Sequence, residues 1–598
     1  MKRFSASTRR AALALAMIFA LAGCGTATST TVVVYVTPAP TLSPAPAPTP
    51  VPALLLTEVS SWEYLLAAHT GTPGIYQAIS TSRADLVVMG GGSYDAPLDR
   101  AAADPTGRKL IFGYLDISAA ASYMFPALFE GSELPDWFGH VHPGYSGLYT
   151  VQYWNPVWRS TILASIDTIV ANGYDGIFLD ECNGDSYWSP DNAEGNPVYP
   201  EATSAMATLL SDIRTHIKSA YPGKTLYLIG NGPYGVAVQV PTALKNLDAI
   251  FNEWVYYGQT QADGTASEYK GKSDANYIRS VLAPLYMGSG AMLLGGDYPV
   301  PLNDPSAAMM SFEFYTSLGW VPSVTKASQG LGILSTGPFM FMARPSNATV
   351  TGYPDHVNYL SGGRTAAATL IGGDQGDYYI GGPGANTIRA GTGNDTIYAH
   401  PREAGYKNRI VIHLSSTIKK GTTPSVSVLV NGEVVVKPAP ITVAWDAGTQ
   451  EFIVDASPYS PVTSLSLNVT GTSYMDQDNF SNVEINDITY DGKALDLAAG
   501  VYTDGQSSGA YTFSNNGTVS FTASSFRSGA TWMADTRDDI DGGGGVNTVI
   551  CRGSYSDYSI AQQADGSFVV MSGTTAEGPD TLINVQKLVF SDRQVDLP

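Results

Sequence analysis

Six short segments of this sequence end in residues able to move protons or hold a sugar. Asp116 closes KLIFGYLD, Trp154 and Asn155 close YTVQYWN, Asp180 and Glu181 close GIFLDE, Asn231 closes TLYLIGN, Asn252 and Glu253 close AIFNE, and Asp297 with Tyr298 closes AMLLGGDY. A single Asp at such a place serves as readily to cap the next helix. Recurrence over six segments points to one shared site. Paired carboxylates among Trp and Tyr side chains suit glycosidic cleavage, one protonating the leaving oxygen while the other acts as nucleophile or as base for water. Trp62, Trp154, Tyr187, Trp188, Trp254, Tyr256 and Tyr257 could stack on the apolar faces of sugar rings. Rival chemistries have weaker support. The seven histidines form no HExxH pattern, and His140 with His142 is only a weak metal pair. The GxSxG match at Gly505–Gly509 sits among strand-like segments, without the strand-to-helix elbow a serine hydrolase needs.

Apolar runs starting at Asp85, Lys109, Tyr149, Gly176, Thr225, Ala249 and Ala291 alternate with stretches of helical spacing such as 156–172 and 201–220. That alternation predicts a parallel sheet with helices outside it. About eight units over residues 56–360 predict a (β/α)8 TIM barrel, whose chemistry belongs at the carboxyl ends of the strands.

The order Trp62-Glu63-Tyr64, Tyr114-Leu115-Asp116-Ile117, Tyr153-Trp154-Asn155-Pro156 and GYDGIFLD over Gly173–Asp180 resembles the endo-α-1,4-polygalactosaminidase family of glycoside hydrolases. The resemblance covers about 300 residues. It implies a TIM barrel acting on an α-1,4-linked, galactosamine-containing exopolysaccharide. It also implies Asp180 and Glu253 as the catalytic pair, with Asp180 as nucleophile or base and Glu253 as general acid, or the two roles exchanged. Expected on the substrate side are Trp62, Asp116, Tyr153, Trp154, Asn231, Trp254, Asp297 and Tyr298. YLDISAAASY at Tyr114–Tyr123 departs from the family's commoner run. A second reading keeps the barrel as a non-catalytic, calcium-dependent glycan-binding or adhesion protein.

Charge and composition bound the partners. In 598 residues, 53 acidic against 32 basic side chains give a formal charge of −21, and only 14% of residues are charged. No basic run offers the concentrated positive face that nucleic acid requires. A cationic amino sugar suits the sign of the charge. The basic start Lys2-Arg3 with Arg9-Arg10, the apolar run 11–22 and the ending Leu21-Ala22-Gly23-Cys24 look like a bacterial lipoprotein signal, 1–24. Lipidation of Cys24 would then anchor the chain to a membrane at the extracellular face of the cell envelope. The linker 25–55 holds seven prolines between Pro38 and Pro52 and reads as a semi-rigid spacer. Cys182 and Cys551 fall in different domains and form no disulfide framework. A monomer is expected.

Three nonapeptides follow the barrel without a gap: GGDQGDYYI from Gly372, GGPGANTIR from Gly381 and AGTGNDTIY from Ala390. A fourth, GGGGVNTVI, starts at Gly542. They resemble haemolysin-type calcium-binding repeats, which implies β-roll segments at 361–407 and 526–598 that bind Ca²⁺. Expected ligands are Asp374, Asp377, Asn394 and Asp395, with Asp539 and Asp541 in the second segment. The apolar Tyr379, Ile388 and Ile397 would point inward. Residues 408–525 alternate as a β-sandwich. It faintly resembles a calcium-dependent xylan-binding type of carbohydrate module, with Asp476 and Asp478 in its ion loop.

Overall fold

The computed structural model describes residues 54–598, apart from 91–95, 143–144, 256–274, 301–304, 327–336, 400–408, 445–448, 457–461, 477–478, 491–492, 504–510, 523–536, 573–578 and positions 67, 132, 276, 364, 366, 383, 421, 496 and 552. The signal, Cys24 and nearly all of the proline-rich linker lie outside the described residues, as does Asp478. The side chains of Asp476 and Tyr298 do so too.

Eight parallel strands form one sheet: β1 (Trp62–Leu65), β2 (Leu86–Met89), β3 (Leu110–Asp116), β4 (Gly176–Asp180), β5 (Tyr227–Asn231), β6 (Ala249–Glu253), β7 (Met292–Val300) and β8 (Val321–Lys326). They pair in chain order and nearly close on themselves. No backbone ladder joins β8 to β1, but the Trp62 indole N–H donates to Val321 O at 2.9 Å across that seam. Successive side chains of a strand point to opposite faces. Trp62, Tyr64, Leu86, Val88, Phe112, Phe178, Ile229, Phe251, Leu294 and Val321 therefore fill the interior, with Leu54, Leu56 and Met342 at the foot. The other face packs on helices such as Pro156–Ala171, which buries Trp158, Ile162, Ile166 and Ile169.

One expected barrel strand is absent from the barrel. Tyr149–Val151 belongs to a small antiparallel sheet with Ala119–Ala120 and Phe138–Val141, and the barrel's count is completed by β1 and β8 instead. Asn155 consequently ends no barrel strand; its side chain accepts from Val157 N at 2.8 Å and caps the following helix.

After the barrel, the chain coils between two seven-stranded sheets. Strands 339–342, 358–361, 378–380, 396–398, 548–550 and 587–589 stack in parallel in one; 349–351, 369–371, 387–389, 539–541 and 579–583 do so in the other. Phe341, Leu360, Tyr379, Ile397, Val549 and Leu588 form one buried row, facing Val350, Leu370, Ile388, Ile540 and Leu582. The two repeat segments, whose paired residues lie 152 positions apart in sequence, are consecutive turns of this coil. Thr387 pairs with Asp539 and Thr396 with Thr548. The intervening residues form a two-sheet sandwich with its own core, including Ile410, Ile412, Val428, Phe452, Leu467 and Val519, inserted between neighbouring turns. Barrel residue Val281 is buried in that same core.

Candidate active site

Alternation along the strands decides which expected residues meet. On β3, residues 110, 112 and 114 share the inward face with Asp116; Asp180, Asn231 and Glu253 share it on β4, β5 and β6. Asp116 lies beside Asp180 in register, Asn231 beside Phe251, and Glu253 beside Gly296. Asp180 and Glu253 thus rise into one cup from strands four and six, with a single strand between them.

Asp180 is held from three sides. Its Oδ2 accepts from Tyr114 OH at 2.5 Å, and its Oδ1 accepts from Asn231 Nδ2 at 2.7 Å and from Glu181 N at 2.8 Å. Burial pushes its carboxyl above the usual range, while these three donors pull the other way by favouring the anion.

Glu181 follows at φ 55°, in the left-handed region that residues with a side chain rarely adopt. The turn takes its carboxyl off the outward path alternation would assign. It reaches Asp116 and accepts from Tyr187, which burial and the neighbouring carboxylates push well above the ordinary tyrosine range. Asp116 is 1% exposed, and its Oδ1 accepts from Ser118 N at 2.9 Å and Ala119 N at 2.8 Å. Burial, then the negative charge of Asp180, raises Asp116 well above an ordinary aspartate; Glu181 is raised by burial and by both neighbours.

Tyrosines line the cup. Tyr64, Tyr145 and Tyr234 are all pushed up by burial and then by both Glu253 and Asp180, so each lies near both carboxylates. Tyr123 and Tyr145 come from the excursion after β3 and stay 70% and 41% exposed at the rim. Apart from the stacking candidate Tyr187, sequence reasoning missed these tyrosines; the i, i+2 relation of Tyr114 to Asp116 was the available signal.

Several expected substrate residues lie elsewhere. Trp62 is 3% exposed inside the barrel, ringed by Tyr64 and Phe251, and offers no face to a sugar. Tyr153 is fully buried outside the barrel, donating to Ala202 O at 2.8 Å. Trp154 stacks on Tyr199 at 4.0 Å and meets Trp188 edge-on. Asp297 is one position out of phase. It faces the helix Pro305–Ser317, where its carboxylate accepts from Ser311 Oγ at 2.5 Å and Tyr315 OH at 3.2 Å, and it also accepts from Val255 N at 2.7 Å. Gly295 makes room there, since a Cβ would fall 2.0 Å from the Tyr315 ring. Trp254, at φ 61°, directly follows Glu253 as Glu181 follows Asp180.

The expected calcium ligands divide between the coil's inside and outside. Asp377 and Asp395 are buried and committed to a ladder between turns: Asn358 N donates to Asp377 Oδ1 at 2.7 Å, Asp377 N to Asp395 Oδ1 at 2.8 Å, and Asp395 N to Asn547 Oδ1 at 3.1 Å. Asp374 accepts from Thr392 Oγ1 and Asn394 from Val546 N; Asp541 accepts from Gly543 N and Asn584 Nδ2, and Asp539 pairs with Arg537. Among the described residues, no three His, Cys, Asp or Glu side chains gather as a metal site.

No family model matches the chain. It is 32% identical over 174 residues to an uncharacterized protein of Deinococcus radiodurans, covering 28% of this chain and 52% of that one. It is 32% identical over 84 residues to an uncharacterized protein of Methanocaldococcus jannaschii, covering 14% and 24%. The chain spans about half or less of the length of these relatives. Among solved structures, it is similar to the glycoside hydrolase domain of PelA from Pseudomonas aeruginosa, with 21% identity, 46% of this chain, 97% of that chain and a TM-score of 0.36. It is also similar to Aspergillus fumigatus Ega3 in complex with galactosamine, with 14% identity, 45% and 92% coverage and a TM-score of 0.32.

Proposed function

We propose that the barrel is a glycoside hydrolase cleaving an α-linked, galactosamine-containing polysaccharide. The observation carrying this reading is the projection of Asp180 and Glu253, from strands separated by one neighbour, into a single tyrosine-lined cup. Asp180, fixed by Tyr114, Asn231 and its own following amide, is the carboxylate that attacks the anomeric carbon or activates water there. Glu253 protonates the leaving oxygen. The GYDGIFLD segment and the excess negative charge support an amino-sugar polymer. Lipid anchoring through Cys24, at the outer face of the cell envelope, is part of the same proposal and follows from the LAGC ending. Calcium binding is proposed for the outer turn residues Asp374, Asn394, Asp539 and Asp541.

The test incubates the chain lacking residues 1–53 with partly deacetylated α-1,4-galactosaminogalactan and follows product size by mass spectrometry. Short oligosaccharides, lost in both Asp180→Asn and Glu253→Gln, are the expected result. Polymer left intact by the unsubstituted chain overturns the hydrolase reading.

A further inference from the structure

Three carboxyls crowd the floor of the cup, and among the described residues none of Asp116, Asp180 and Glu181 is paired with Lys, Arg or His. Asp180 has its three donors. Asp116 and Glu181 differ: they face each other, Asp116 spends Oδ1 on two main-chain amides, and Glu181 Oε2 is buried with no hydrogen-bond partner among the described residues. Two adjoining buried carboxyls cannot both stay ionised without a proton or a cation between them. The left-handed backbone at Glu181 is what turns this third acid into the cup. The groups facing it are Asp116 from β3, Asp180 from β4, Tyr187 from the turn after β4, and Tyr123 and Tyr145 from the rim.

We propose that Asp116 and Glu181 form an ammonium-recognition site, in which the protonated amine of an amino sugar takes the place of the proton the two carboxyls share. This rests on the glycosidase reading only for the carrier of the cation, a sugar. On binding, the O–H bond between Glu181 and its proton breaks, the proton passes to solvent buffer, and the ammonium N–H groups donate to the freed oxygens. The amine keeps all its protons. An N-acetylated sugar has no charge to exchange for the proton and is disfavoured.

The experiment titrates galactosamine, and separately N-acetylgalactosamine, into the chain lacking residues 1–53, at about pH 6 where the sugar amine is charged and an ordinary glutamate is not protonated. Calorimetry in two buffers of different ionisation enthalpy reads the proton count. Galactosamine releases up to about one proton per site and N-acetylgalactosamine none; Glu181→Gln abolishes the release and weakens galactosamine about tenfold or more. Heat independent of buffer, equal binding of the two sugars, or no binding of galactosamine overturns the proposal, and each is read on the unsubstituted protein. Proton release with an uncleaved polymer overturns the hydrolase reading alone. Cleavage without proton release overturns this site alone.

Discussion

Asp297 and Val255 meet just beyond the candidate acid: the Asp297 carboxylate accepts from the Val255 amide at 2.7 Å, two residues after Glu253. The bond spans the left-handed Trp254 and ties the end of β6 to the helix Pro305–Ser317 through Ser311 and Tyr315. Asp297 is fully buried among these donors, so its expected influence on the site runs through the position of Glu253. Asp297→Asn keeps the volume but cannot accept every donor of the three, so the segment holding Glu253 loosens. The expected loss is about tenfold or more in kcat with KM little changed. Steady-state kinetics check this; a raised KM at unchanged kcat would return Asp297 to the substrate side.

Tyr114 bears on pH. Its hydroxyl favours the ionised form of Asp180 against the burial that disfavours it. Tyr114→Phe removes that donor, so the Asp180 pKa rises further. The acidic limb of kcat/KM, which reports the free enzyme, should move up by about one pH unit, since a hydrogen bond to a charged group is worth about 1.5–3 kcal/mol and Asn231 compensates in part. A limb that stays in place or moves down assigns it to another group.

The positions of Asp180, Asn231 and Glu253 were legible in sequence because each ends an apolar run in phase with its interior residues. Asp297 was not, because GGDY allows either phase and only the Tyr315 ring beside Gly295 settles it. YTVQYWN reads as a barrel strand by propensity, yet its antiparallel partners at 119–120 and 138–141 draw it out of the barrel. The nonapeptides were visible by their glycines. Their spacing around the inserted sandwich hid the contact of Ile388 and Ile397 turns with those of Ile540 and Val549, which depends on stacking rather than adjacency.

Trp62 resembles a sugar platform by type and is a seam residue by place. Trp62→Phe keeps the packing on Tyr64 and Phe251 but leaves Val321 O without its buried donor. Denaturant unfolding should show a loss of about 1–3 kcal/mol, with KM for polymer unchanged. A several-fold rise in KM at full stability would contradict the seam role.

Asp395 sets a pH dependence on the coil. Burial, then the charge of Asp377, raises its pKa from 3.8 to about 7, against the pull of the Asp377 amide, and its Oδ2 is buried with no hydrogen-bond partner among the described residues. Between these values the folded state holds a proton the unfolded chain has released. The slope of stability with pH is then negative: this group's contribution is greatest below about pH 4, declines as pH rises, and levels off above about 7. Asp395→Asn keeps an acceptor for the Asp377 amide and removes the titration. In chelator, the variant should melt higher than the unsubstituted protein at pH 8, with the gap closing toward pH 5. A variant that melts lower at pH 8, in chelator or only in calcium, would mean that the ionised carboxylate has a partner in the folded coil. In the calcium case that partner would be the ion itself, and the inner Asp395 would join the outer turn residues as a ligand.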